Sequence, residues 1–144
     1  MNSFSSIYAL FFLFSLVLFP IQVVRGGCYS AGVPWGSQAN KQRALDSVCE
    51  VCESFTSSGF SPGEEKVACV NGMEDTKFDF TLKNESGQSK TITKEQCIDG
   101  LHAEINNCRL GGITSKNEWR YRSDPNAGIK VILTYNPIQF YTNL

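Results

Sequence analysis

The chain has 144 residues, 42% of them hydrophobic and 19% charged, and its 13 Lys and Arg against 14 Asp and Glu leave a net charge of −1. That length suits one domain, and the lack of any basic run argues against nucleic acid or an acidic membrane surface as partner, because neutralising phosphates takes clustered cations. Six cysteines in so short a chain point instead to an exported fold stapled by disulfides.

In chain order, the stretch from Ile7 to Phe19 reads IYALFFLFSLVLF, 13 residues without a charge, and Val24, Arg25 and Gly26 follow it. This is the pattern of a secretory signal peptide with cleavage expected after Gly26, although only the amino terminus supplies positive charge ahead of the apolar run. A spanning helix needs about 20 apolar residues, so stable membrane insertion is not expected. Removing residues 1–26 leaves 144 − 26 = 118 residues carrying 12 Lys and Arg against 14 Asp and Glu, a net charge of −2. Cys28, Cys49, Cys52, Cys69, Cys97 and Cys108 all remain, enough for up to three bridges in any of fifteen connectivities. The Cys49 and Cys52 spacing would suit half a zinc site, but the sole histidine, His102, stands at no finger-like distance, and no metal or other cofactor is expected.

Ser37 is placed to cap a helix over residues 38–55, with Ala44, Leu45, Val48, Cys49 and Cys52 on one face. The Ser, Gly and Pro of TSSGFSPGEE end it. A strand is expected over 66–70, and in KFDFTLKN the alternation of Phe78, Phe80 and Leu82 predicts a half-buried second one. Residues 84–88 read as a hairpin turn with 90–93 returning as a third strand. Asn84, Glu85 and Ser86 form an N-glycosylation acceptor on that turn. Thr93 and Gln96 match a capping box that opens a helix to about Asn107, with Cys97, Leu101, Ile105 and Cys108 aligned and Gly111 and Gly112 ending it. Eleven residues at about 1.5 Å each hold Cys97 and Cys108 roughly 16 Å apart, so each must bond a different element. The fold class is α+β: a layered α/β/α sandwich in which two helices flank an antiparallel sheet.

Few residues offer catalysis. His102 and Glu104 lie two apart on a helix and point away from each other, which disfavours an acid–base pair, and the chain has no GxSxG, HExxH, P-loop or EF-hand pattern. A non-enzymatic role is therefore expected, with a secreted ribonuclease as the enzymatic alternative. In NEWRYRSDPNAG, Trp119 and Tyr121 share one face of a strand and Arg120 and Arg122 the other. Two readings are open. The rings can be the inner face of a packed sheet, or a ledge for a sugar, whose C–H face stacks on an aromatic while its hydroxyls bond Arg122, Asp124 and Asn126. Trp35, on a loop anchored by Cys28, reads as a plug closing the core rather than a ligand platform.

GCYSAGVPWGS, a helix carrying Cys49, ACVNG, KFDFTLKN, ITKEQCIDGLHAEINNC, a Gly-Gly loop and WRYRSDPNAG follow one another in an order that resembles the small secreted fungal glycan-binding proteins, the mushroom Y-three lectin-like family. The resemblance spans nearly all of residues 28–128. It implies an α/β/α sandwich that dimerises through sheet edges and binds N-acetylhexosamine-containing glycans without catalysis. Trp119, Tyr121, Arg122, Asp124 and Asn126 are the candidate contacts on this chain. The division implied is a signal peptide over 1–26, the glycan-binding-like domain over 27–128 and a divergent tail over 129–144. The family pattern places a final cysteine just after Asp-Pro-Asn-x-Gly, where this chain has IKVILTYNPIQFYTNL, and Cys52 is additional. Either Cys52 replaces the missing partner or one cysteine, such as Cys28, is left over. The tail reads as one more strand over 129–135 or as the translation of an unspliced or misread gene end. A secreted effector of the killer-toxin kind, acting on a membrane or protein target, is the second functional class.

Overall fold

The computed structural model describes residues 25–128 and a strand at 138–142. Its elements are β1 (Arg25–Cys28), α1 (Gln38–Thr56), β2 (Glu65–Asn71), β3 (Thr76–Asn84), α2 (Lys94–Asn107), β4 (Gly112–Lys116), β5 (Trp119–Ala127) and β6 (Ile138–Thr142). The strands form one sheet in the order β1-β4-β5-β3-β2-β6, with every neighbouring pair antiparallel.

Both helices begin where their caps dictate. The Ser37 side chain accepts from the Asn40 backbone N–H, and Thr93 and Gln96 complete a reciprocal capping box at α2. The apolar stripe of α1 (Ala44, Val48, Val51, Cys52, Phe55) meets that of α2 (Cys97, Leu101, Ile105) over Phe78, Phe80, Leu82, Trp119 and Tyr121, in one core. Burying a side chain of this size is worth about 1.5–3 kcal/mol. The α+β class, the two helices and the antiparallel sheet agree with expectation, and the helices lie side by side on one face of the sheet. Asn40, fully buried, ties that layer to the β2–β3 turn: its Nδ2 donates to Trp35 O (2.7 Å) and Thr76 Oγ1 (2.8 Å), and its Oδ1 accepts from Met73 N (2.6 Å). Trp35 is the plug, packed 5.7 Å from Phe78 with its indole N–H donating to Cys108 O (2.7 Å).

Two disulfides form, Cys28–Cys108 and Cys52–Cys97. Cys97 and Cys108 thus reach different elements, as their separation requires, and Cys28 is paired. The sequence separations of 80 and 45 residues correspond to about 4 kcal/mol each in the loop-entropy limit. A third bridge between Cys49 and Cys69 does not form. Cys49 lies on the outer, exposed side of α1, whereas Cys69 faces away from the helices on β2, so the core stands between them. With Cys52 bonded to Cys97, the half zinc site is gone as well.

One other expectation changes. Residues 90–93 make no returning strand; Lys90 forms an isolated bridge with Phe60, and β3 pairs instead with β5. The β4–β5 hairpin, whose turn the sequence reading does not locate, closes on Asn117 and Glu118, both at positive φ (54° and 64°), the conformation a two-residue turn between antiparallel strands demands. In the tail, a strand over 129–135 lies outside the described residues, while β6 adds its backbone to the free edge of β2.

Candidate functional site

Alternation along β5 decides where its side chains go. Trp119 and Tyr121 point to the helices and are 5% and 7% exposed, with Ser123 and Pro125 buried on the same side. Arg122, Asp124 and Asn126 point to the opposite face. The five residues expected to make one ledge are therefore divided by the sheet, and no single ligand reaches all of them. Pro125 makes no turn either: it is a strand residue opposite Phe78. β4 ends at Gly112, opposite Ser123, so beyond that point the outer side of β5 has no ladder to β4 and tolerates a residue without an N–H.

The outward trio is bound up with its own neighbours. Arg122 pairs with Asp124 (2.5 Å) and bonds the Tyr29 side chain, Asn126 Nδ2 donates to Asp79 Oδ2 (2.9 Å), and Lys77 pairs with Asp79 (3.7 Å). Arg120 does likewise with Glu65 and Glu85. These contacts make a polar surface on the face of the sheet turned away from α1 and α2.

The two rings, although mostly buried, border a hollow of about 690 Å³ between α2 and the β4–β5 hairpin. Trp119 stands edge-on to Phe60 at 5.0 Å, which fixes its plane. Tyr121 lies against Gly100, whose missing side chain makes the room, since a Cβ there would run into the tyrosine ring. Burial and the neighbouring Asp99 push the Tyr121 hydroxyl up to about 12, so it stays a neutral phenol. From α2 the hollow receives Gln96, Asp99, Ala103 and Asn107, and from the hairpin Lys116 and Asn117. The helical four are spaced by 3, 4 and 4 residues, so Gln96, Asp99 and Asn107 share one face of α2 with Ala103, a stripe the sequence reading does not single out.

One buried acid also faces this hollow. Glu104, 3% exposed, rests against Gly112 and accepts from the Thr114 side chain; burial raises its carboxyl above the usual range, a shift the Thr114 bond partly offsets. His102 has no part here, because its Nε2 meets Leu45 O at 3.0 Å and so links the two helices, as the spacing of two from Glu104 implies.

The N-glycosylation expectation fails on geometry. Asn84 is fully buried, and the Nδ2 that would carry the glycan donates to Ser61 O (3.0 Å) and Gln88 O (2.7 Å), while its Oδ1 accepts from Ser86 N (2.9 Å) and Ser86 Oγ (2.7 Å). The Asn-Glu-Ser triplet is a turn clamp whose acceptor nitrogen is already occupied.

Among the described residues no helix is long and apolar enough to cross a membrane. An aromatic floor with an amide, carboxylate and ammonium rim, set in a preformed hollow, has the make-up of a small-ligand site for a polyhydroxylated ring. No curated protein matches the chain. The family described as "Glycan binding domain Y3" matches residues 45–129, more than half of the sequence and all of α2, β4 and β5, and the chain belongs to that family.

Proposed function

We propose that this chain is a secreted, non-catalytic lectin that takes an N-acetylhexosamine of a cell-surface or glycoprotein glycan into the hollow between α2 and the β4–β5 hairpin. The observation that carries this reading is the hollow itself, where the edges of Trp119 and Tyr121 meet hydrogen-bonding groups from two elements. An acetamido sugar offers a methyl group and a C–H face for the rings, with an amide and hydroxyls for Gln96, Asp99, Asn107 and Asn117. Secretion is supported by the signal-like amino terminus and the two disulfides. Among the described residues the outermost strands of the sheet are β1 and β6, and these edges are the surfaces through which a homodimer would raise a weak single-site affinity by avidity.

The test is a glycan array on the refolded protein beside a variant carrying Asp99→Ala and Lys116→Ala, two exposed rim positions outside the core. Wild type is expected to retain glycans with terminal N-acetylhexosamine, and the variant to lose at least about tenfold in affinity, the value of one good polar contact. Retained affinity in the variant would move the site elsewhere, with the Arg122, Asp124 and Asn126 face next to be tried. Growth inhibition that free amino sugars do not compete away would favour the toxin-like reading.

A further inference from the structure

A second hollow of about 390 Å³ opens beside the first, bordered by Gly59, Phe60, Ser61 and Ser89. Lys90 and Thr91 line both, so the two are separated only by the width of that short segment. The segment is firmly held. Phe60 N donates to Lys90 O (2.8 Å) and Lys90 N to Phe60 O (2.9 Å), while the Lys90 ammonium pairs with Glu118 at 2.6 Å. The floors are also joined, because Phe60 of the second hollow makes its edge contact with Trp119 of the first.

From this arrangement we infer that the depression at Gly59, Phe60, Ser61 and Ser89 is a second saccharide subsite, and that the ligand of this chain is an oligosaccharide crossing the Lys90–Thr91 saddle. This inference rests on the first hollow being the primary sugar site. The second hollow is smaller and more polar: Gly59, Ser61 and Ser89 are exposed at its mouth, while Phe60, 1% exposed and with the Lys66 ammonium 4.0 Å over its ring, closes its floor from beneath. It is the more open and shallower surface, suited to a unit that adds affinity once its neighbour is anchored. Lys90 and Thr91 then lie beneath the glycosidic link, with Lys90 oriented by Glu118.

Calorimetric titration of wild type with N-acetylglucosamine, N-acetylgalactosamine and their β-linked dimers and trimers tests this, alongside Ser89→Leu, which fills the second hollow from an exposed position. Wild type is expected to gain about tenfold or more from monomer to dimer or trimer, and Ser89→Leu to bind the monomer as wild type does while losing that gain. A gain that survives Ser89→Leu, or affinity independent of length, would overturn the second subsite and leave the first intact. The Asp99→Ala, Lys116→Ala variant separates the two readings, since unchanged monomer binding there would refute the primary site as well. Unaltered thermal unfolding of each variant shows that a loss is one of contact and not of fold.

Discussion

Glu104 and Asn84 show how burial assigns a polar residue its work. For Glu104, the folded chain holds the carboxyl proton more tightly than the unfolded chain, because burial raises the carboxyl above its ordinary 4.5. The stability this contributes is complete below pH 4.5 and is lost as pH rises through the raised value. Urea unfolding between about pH 4 and pH 8 is therefore expected to show a falling component that Glu104→Gln removes, with the variant at least as stable as wild type at the upper end. A variant that keeps the slope would place the titration in another group. Asn84 carries the opposite lesson, since its side chain is needed where it is. Asn84→Ala leaves buried carbonyls without donors and is expected to cost on the order of 3 kcal/mol in the same assay. Protein secreted from a eukaryotic host is expected to show no mass change on treatment with an N-glycosidase.

At the scale of elements, what was legible in the sequence was local and what was missed was pairing. The two caps, the apolar stripes and the alternation of β3 all follow from short-range physics, and each appears where its residues put it. The partner of β3 did not follow: a returning strand at 90–93 is near in sequence, whereas β5 lies past a whole helix, and only the buried faces of both make that the better match. The β4–β5 turn was hidden because Asn-Glu is a weak signature for two left-handed residues. The candidate site was half legible. Its rings were found from the strand pattern, but its rim belongs to α2, and a polar helical stripe looks the same whether it faces solvent or a cleft. Gly100 is where α2 and β5 fit together. Its replacement by Ala gains up to about 1 kcal/mol in helix propensity and sets a methyl against the Tyr121 ring, an overpacking cost of about 1–3 kcal/mol. The second effect is expected to win, so Gly100→Ala should lower the melting temperature and, by pushing Tyr121 toward the hollow, weaken sugar binding. A more stable variant with unchanged binding would show that the ring has room to move.

The molecule as a whole has two unlike faces: a helix layer over an apolar core, and a sheet surface laced by ion pairs. Disulfides secure the first of these, one joining the helices and the other tying β1 to the end of α2, so the border of the hollow is braced at Cys28 and Cys108. Preorganisation of this kind spares a ligand the entropy of ordering its site, which matters most for sugars, whose contacts are individually weak. Only one of these two faces meets the glycan. Side-chain resonances report that directly, in a nuclear magnetic resonance titration of labelled protein with an N-acetylhexosamine oligosaccharide. The Trp119 indole and the Gln96 and Asn107 side-chain amides are expected to shift with a common affinity while the Asn126 amide and the Arg122 guanidinium stay still; movement of Asn126 and Arg122 with Trp119 unmoved would contradict it.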